Sequence, residues 1–187
     1  MHKYSLGLIG FTSGIVSYYT SNSFDTRDTP GFLPYDLCAG IIFGIAISFF
    51  VFFFLPSIKK SRFWLLQLAS WIIVSMVSYY FAVHTTVTII DPASSNYAPQ
   101  PFIEYLAFFV GGSLGAFLML LGFHFLLVPI KQYRFIVLVI LGGILGLSSF
   151  LGTNSLNPLF VLFIVWQTGM AFGLGWCLDQ NKVNNYA

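Results

Sequence analysis

The sequence predicts an all-α polytopic membrane bundle, six transmembrane helices in one domain, and three observations predict it. Only 7% of the 187 residues are charged while 57% are hydrophobic. A soluble domain carries about 25% charged residues, so this chain cannot cover itself in water. Apolar runs of membrane-spanning length recur along it, and basic residues collect at alternate ends of those runs. A crossing helix needs about 20 mostly apolar residues, because the hydrocarbon is ~30 Å thick and each residue rises ~1.5 Å. The expected spans are residues 4–20, 37–55, 63–83, 105–130, 135–152 and 158–178.

The first span is short and rich in glycine and serine. Lys3 before an apolar stretch has the layout of a signal peptide, but "SYYTSNS" makes a poor cleavage site, so the span is expected to stay. An outer loop with Pro30 and Pro34 leads to the second span, which opens on Asp36. "IKKSRF", residues 58–63, then forms an inner turn. The third span places Gln67, Trp71, Ser75 and Ser78 at steps of four, four and three, on one helical face. A long outer loop, "HTTVTIIDPASSNYAPQP", follows. The fourth span carries Glu104 at its outer mouth and His124 in its inner half. "IKQYRF", residues 130–135, makes a second inner turn. The fifth and sixth spans are joined by the tight connection "TNSLN", and the sixth carries Gln167 beside Trp166.

The basic residues fix the orientation. With both termini inside, Lys3, Lys59, Lys60, Arg62, Lys131, Arg134 and Lys182 are cytoplasmic, which is seven of the eight Lys and Arg residues. The positive-inside rule requires that asymmetry, and Lys59, Lys60, Arg62, Lys131 and Arg134 carry most of it. The setting expected is a cytoplasmic membrane. A net charge of +2 with no basic stretch excludes a nucleic-acid track. Cys38 and Cys177 lie in apolar runs and read as buried thiols.

The two basic phrases align at an offset of 72, and Gly40/Gly44 correspond to Gly111/Gly115 at 71. A second echo pairs Gly10/Gly14 with Gly142/Gly146. Together they suggest three helical hairpins in parallel orientation. Every span except the third also carries a small-xxx-small pair, Gly169/Gly173 being the last. Such pairs let backbones approach closely, and packing inside the bundle is their expected use.

Candidate binding residues are the polar and ionisable groups that a membrane makes expensive. Glu104 and His84 lie on the outer side among tyrosines, where an acidic, aromatic vestibule would suit a cationic or aromatic solute. Gln167, Trp166, Trp71 and Gln67 lie deeper. No metal-ligand spacing, phosphate loop or cofactor motif occurs. Expected partners are the lipid bilayer, with a small solute or other membrane subunits.

Two resemblances bear on function. "GGSLG" at residues 111–115 reads G-x-S-x-G, and the chain resembles the rhomboid intramembrane serine proteases in its six spans and a glycine-flanked serine in the fourth. It departs from them in the sixth span, "WQTGMAFG", which has no histidine. His124 stands about 16 Å along the axis from Ser113, too far to activate it. In length and topology the chain is also similar to the substrate-binding subunits of energy-coupling-factor vitamin transporters. That resemblance implies a small-molecule transport or solute-binding subunit with a cavity open to the outer side. The alternatives are a non-catalytic assembly subunit and, more remotely, an intramembrane serine hydrolase.

Overall fold

A computed structural model describes residues 2–23, 34–54, 62–94, 101–152 and 157–183. Among these every regular element is helical: α1 (His2–Ser23), α2 (Pro34–Phe54), α3 (Trp64–Ser94), α4 (Pro101–Leu126), α5 (Gln132–Gly146) and α6 (Pro158–Val183). A 3-10 turn, Leu147–Leu151, continues α5. Five of the helices, α2 to α6 (α5 together with its 3-10 turn), are long and apolar enough to cross a membrane. This is a multi-pass membrane protein. α1 is equally long, at 22 residues, but its Gly, Ser, Thr and Tyr content leaves it less apolar than the rest.

The helices form a ring. Each packs on the next in sequence, and α6 closes the ring on α1 through the most extensive of all the helix contacts. Neighbours run antiparallel. Gly40 of α2 lies on Met76 and Gly44 on Ile72, while Gly111 of α4 lies on Thr86 and Gly122 on Val74. The start of α1, the end of α6 and the α2–α3 and α4–α5 junctions therefore share one end, termed the termini end. The α1–α2, α3–α4 and α5–α6 junctions share the other, the far end.

All five glycine pairs pack inside the ring. Gly10 and Gly14 meet α6 at Gln167, Ala171, Phe163 and Ile164; Gly142 and Gly146 meet α4; Gly169 and Gly173 meet Leu145 and Leu138 of α5. α3, which has no such pair, is held between the pairs of α2 and α4. The two sequence echoes behave differently in space. Gly10/Gly14 and Gly142/Gly146 each face the preceding helix of the ring. Gly40/Gly44 face the following helix, whereas Gly111/Gly115 face the preceding one.

Several boundaries depart from the sequence expectation. α3 continues to Ser94, eleven residues beyond the expected end at Val83. The outer loop expected from His84 is therefore helical in its first part. Two threonine hydroxyls bond within it: Thr86 Oγ1 donates to the Ala82 carbonyl at 2.9 Å and Thr88 Oγ1 to the His84 carbonyl at 2.7 Å. Each hydroxyl finds an acceptor one turn back and leaves the backbone ladder intact. α4 stops at Leu126 rather than Ile130. Pro129 disfavours helix at Val128, and the chain closes with Val128 N–H donating to the Phe123 carbonyl at 2.9 Å. His124 Nδ1 then accepts the Ile130 N–H at 2.8 Å, which explains that histidine as a turn-former. α6 starts on a cap, with Asn157 Oδ1 accepting the Leu159 N–H at 2.9 Å. Asn before Pro at a helix start is a favoured arrangement.

Of the topology residues, Arg62 and Lys131 are exposed, while Lys59 and Lys60 lie outside the described residues. Arg134, expected in a loop, sits in the first turn of α5 and is only 2% exposed. The helix begins three residues earlier than the apolar run, so the side chain is drawn in against α6.

The close approach of α1 is testable by adding bulk. A Cβ at Gly10 would strike the Gln167 carbonyl and Ala171, whereas one at Gly7 meets Phe172 at an ordinary 3.6 Å. Gly10→Val is expected to destabilise the purified protein by about 2 kcal/mol in thermal unfolding, and Gly7→Ala to leave it unchanged.

Candidate functional site

The far half of the ring contains an apolar cavity of about 230 Å³. Its walls follow helical periodicity. α3 contributes Tyr79, Val83, Thr86, Val87 and Ile90, which recur at one face, and α6 contributes Leu159, Leu162, Phe163 and Trp166 in the same way. α4 supplies Phe108, Gly111 and Gly112, with Gly146 at the end of α5. At the three glycines the wall is backbone, and a Cβ at each would strike the neighbouring helix.

The floor is an aromatic group. Trp166 and Tyr79 meet edge to face with centroids 5.1 Å apart, and Phe43 of α2 backs both at 6.4 Å. Trp166 Nε1 donates to the Gly142 carbonyl at 3.2 Å, which fixes the indole. The Tyr79 hydroxyl lies beside Gln167 without completing a hydrogen bond. The walls rise to the far end, where Val87 and Leu159 are exposed.

Of the six expected binding residues, only Trp166 lines this cavity. Gln167 is adjacent in sequence and so turns about 100° away around the helix. It is fully buried toward α1. Its Oε1 accepts the Ser13 hydroxyl at 2.6 Å and its Nε2 donates to Ser17 Oγ at 2.9 Å. The α3 stripe is taken up by packing. Trp71 meets Phe123 edge to face at 5.6 Å, and Ser75 Oγ donates to the Gly40 carbonyl at 2.8 Å. Ser78 Oγ bonds its own helix at Val74. Gln67 is half-buried, and among the described residues neither its Oε1 nor Trp71 Nε1 has a hydrogen-bond partner.

The outer groups do not converge either. His84 is exposed, stacked edge-on to Tyr80 and bonded through Nδ1 to Thr88 at 3.0 Å. Glu104 lies half-buried in the first turn of α4, where a carboxylate complements the helix dipole. Tyr105 packs on Phe150 and Tyr18 on Phe160. Tyr97 and the Asp36 side chain lie outside the described residues. An acidic, aromatic vestibule is thus not assembled from the described side chains. Ser113, the serine of G-x-S-x-G, is wedged against Gly143 of α5. The Nδ1 atoms of His84 and His124 are engaged elsewhere, as given above.

Sequence reasoning missed the walls because almost every wall residue is an ordinary apolar span residue. Tyr79 was legible only as one more interfacial tyrosine, and Thr86 as a loop residue. The spacing of Tyr79, Val83, Thr86 and Ile90 carries the signal, once α3 is known to extend that far. No protein-family model matches the chain, and neither a curated protein nor a solved structure shows significant similarity to it.

The Gln167 cluster is expected to hold α1 rather than a ligand. Interhelical hydrogen bonds in membranes contribute about 0.6 kcal/mol each, up to roughly 1.7. Gln167→Leu and Ser13→Ala should each lower unfolding stability by about 1 kcal/mol, and a double-mutant cycle should show the losses to be non-additive. Fully additive losses would disprove the direct bond.

Proposed function

We propose that this chain is a solute-binding membrane protein that takes a small neutral aromatic or apolar molecule into the cavity between α3, α4 and α6. The observation that carries the reading is the floor, an indole held in place by the Gly142 carbonyl and flanked by Tyr79 at the base of an apolar space. An apolar cavity of about 150 Å³ holds benzene, so one of about 230 Å³ has room for a larger ring. A cationic solute fits poorly, because no acid is among the described residues of the walls and an unpaired charge in such a site loses its hydration. In a cytoplasmic membrane with both termini inside, the cavity opens to the outer side. The positive-inside distribution supports that orientation, and α1 then forms a sixth span beside α6.

A second reading is a non-catalytic assembly subunit. It is favoured by the use of polar span residues in helix contacts, with Gln167 and Ser75 both bonded within the ring.

A brominated aromatic discriminates between the two. In reconstituted protein, 4-bromophenol is expected to quench tryptophan fluorescence saturably. Trp166→Phe should abolish the saturable part, and Val87→Phe, which narrows the mouth, should weaken apparent affinity several-fold. Quenching that rises linearly and is the same in every variant would favour the assembly reading. Orientation is checked separately with an impermeant maleimide on intact cells, in a background with serine at both native cysteines. Ser23→Cys and Asn96→Cys should label, and Lys60→Cys and Asn184→Cys should label only after permeabilisation.

A further inference from the structure

Arg134 is a buried charge, among the described residues, that takes no part in the cavity. Its side chain is 2% exposed, in the first turn of α5 at the termini end. A guanidinium is always protonated, and burying a charge without a counter-charge is strongly unfavourable. Its surroundings are neutral. Nε donates to the Tyr133 hydroxyl at 2.8 Å, the guanidinium lies 4.8 Å from the Trp176 ring, and the Cys177 side chain is beside it. Among the described residues, Nη2 has no hydrogen-bond partner.

Among the described residues no carboxylate is placed beside it. Asp179 stands two residues beyond Cys177, about 200° around α6, and its oxygens accept the backbone N–H groups of His2 and Lys3 at 2.9 and 3.4 Å. Glu104 sits in the first turn of α4, at the far end, and the side chains of Asp25, Asp28, Asp36 and Asp91 lie outside the described residues. Among the described residues the charge has no counter-ion, and an anion from outside the chain would supply one.

We propose that Arg134 anchors a site for a phosphate-bearing anion at the termini end, between the first turn of α5 and the last two turns of α6. A guanidinium offers paired donors that match a phosphate, and basic pockets between helices on this side of a membrane hold anionic headgroups. Tyr133 covers the guanidinium at 5.2 Å and is itself 54% exposed. Lys131, exposed at the preceding turn, adds positive potential at the opening.

The test uses lipid-stripped protein in a neutral detergent, with thermal unfolding followed by tryptophan fluorescence. Phosphatidylglycerol is expected to raise the unfolding temperature by about 5 °C, and phosphatidylcholine to leave it unmoved. Arg134→Gln should lose the shift, Arg134→Lys should retain only part of it, and Lys131→Ala should keep it. If millimolar inorganic phosphate reproduces the shift, the ligand is the free oxyanion; if phosphatidylglycerol alone acts, it is a lipid headgroup. The proposal is overturned if Arg134→Gln responds to phosphatidylglycerol as the parent does, or if neither anion stabilises the parent. Should Arg134→Gln fail to fold, native mass spectrometry decides: Arg134→Lys must carry fewer bound phosphatidylglycerol molecules than the parent, and equal occupancy rejects the site.

Discussion

The approach of α1 to α6 is the contact on which the ring depends. Lipid offers no hydrophobic drive to bring two helices together, so their association rests on close packing and interhelical hydrogen bonds. Here both occur along the full length of the pair. Gly175 admits the backbone at Lys3, Gly10 and Gly14 lie on the backbone of α6, and Tyr18 meets Phe160. Between these contacts Gln167 bonds two serines of α1. At the termini end Asp179 takes backbone N–H groups of α1 that a helix start leaves unpaired. A helix too polar to be comfortable against lipid is thereby given a polar seam to lie on.

The adjacent pair Trp166–Gln167 shows how one helix serves two purposes. Consecutive residues on a helix point about 100° apart. The amide is directed to α1 and completes the ring; the indole is directed inward and ends the cavity. The same economy of position recurs in α4, where Gly111 receives α3 and Gly112 receives α5 while both leave the cavity wall without side chains. The missing Cβ at each of these glycines admits the neighbouring helix beside the cavity.

The hairpins at the termini end were legible in the sequence. Proline, a basic phrase and a resumed apolar run mark both turns, and α2–α3 and α4–α5 are neighbours. The extension of α3 was not legible, since "HTTVTII" has the polar, β-branched look of a loop, although Thr86 and Thr88 each find a carbonyl one turn back. Arg134 was equally opaque. A cation after an apolar run reads as a loop residue, and its burial follows only from where α5 starts and which face meets Trp176.

Composition, span length and charge distribution thus determined the class, the antiparallel order and the side on which the basic residues gather. These follow from the bilayer, which acts on each segment separately. Tertiary structure decided which polar residues are adhesive and which line a space, because that depends on the rotation of each helix about its own axis. Gln167 and Trp166 are equally prominent in the sequence. Only the packing of α1 on one side and α3 on the other assigns one to the seam and the other to the cavity.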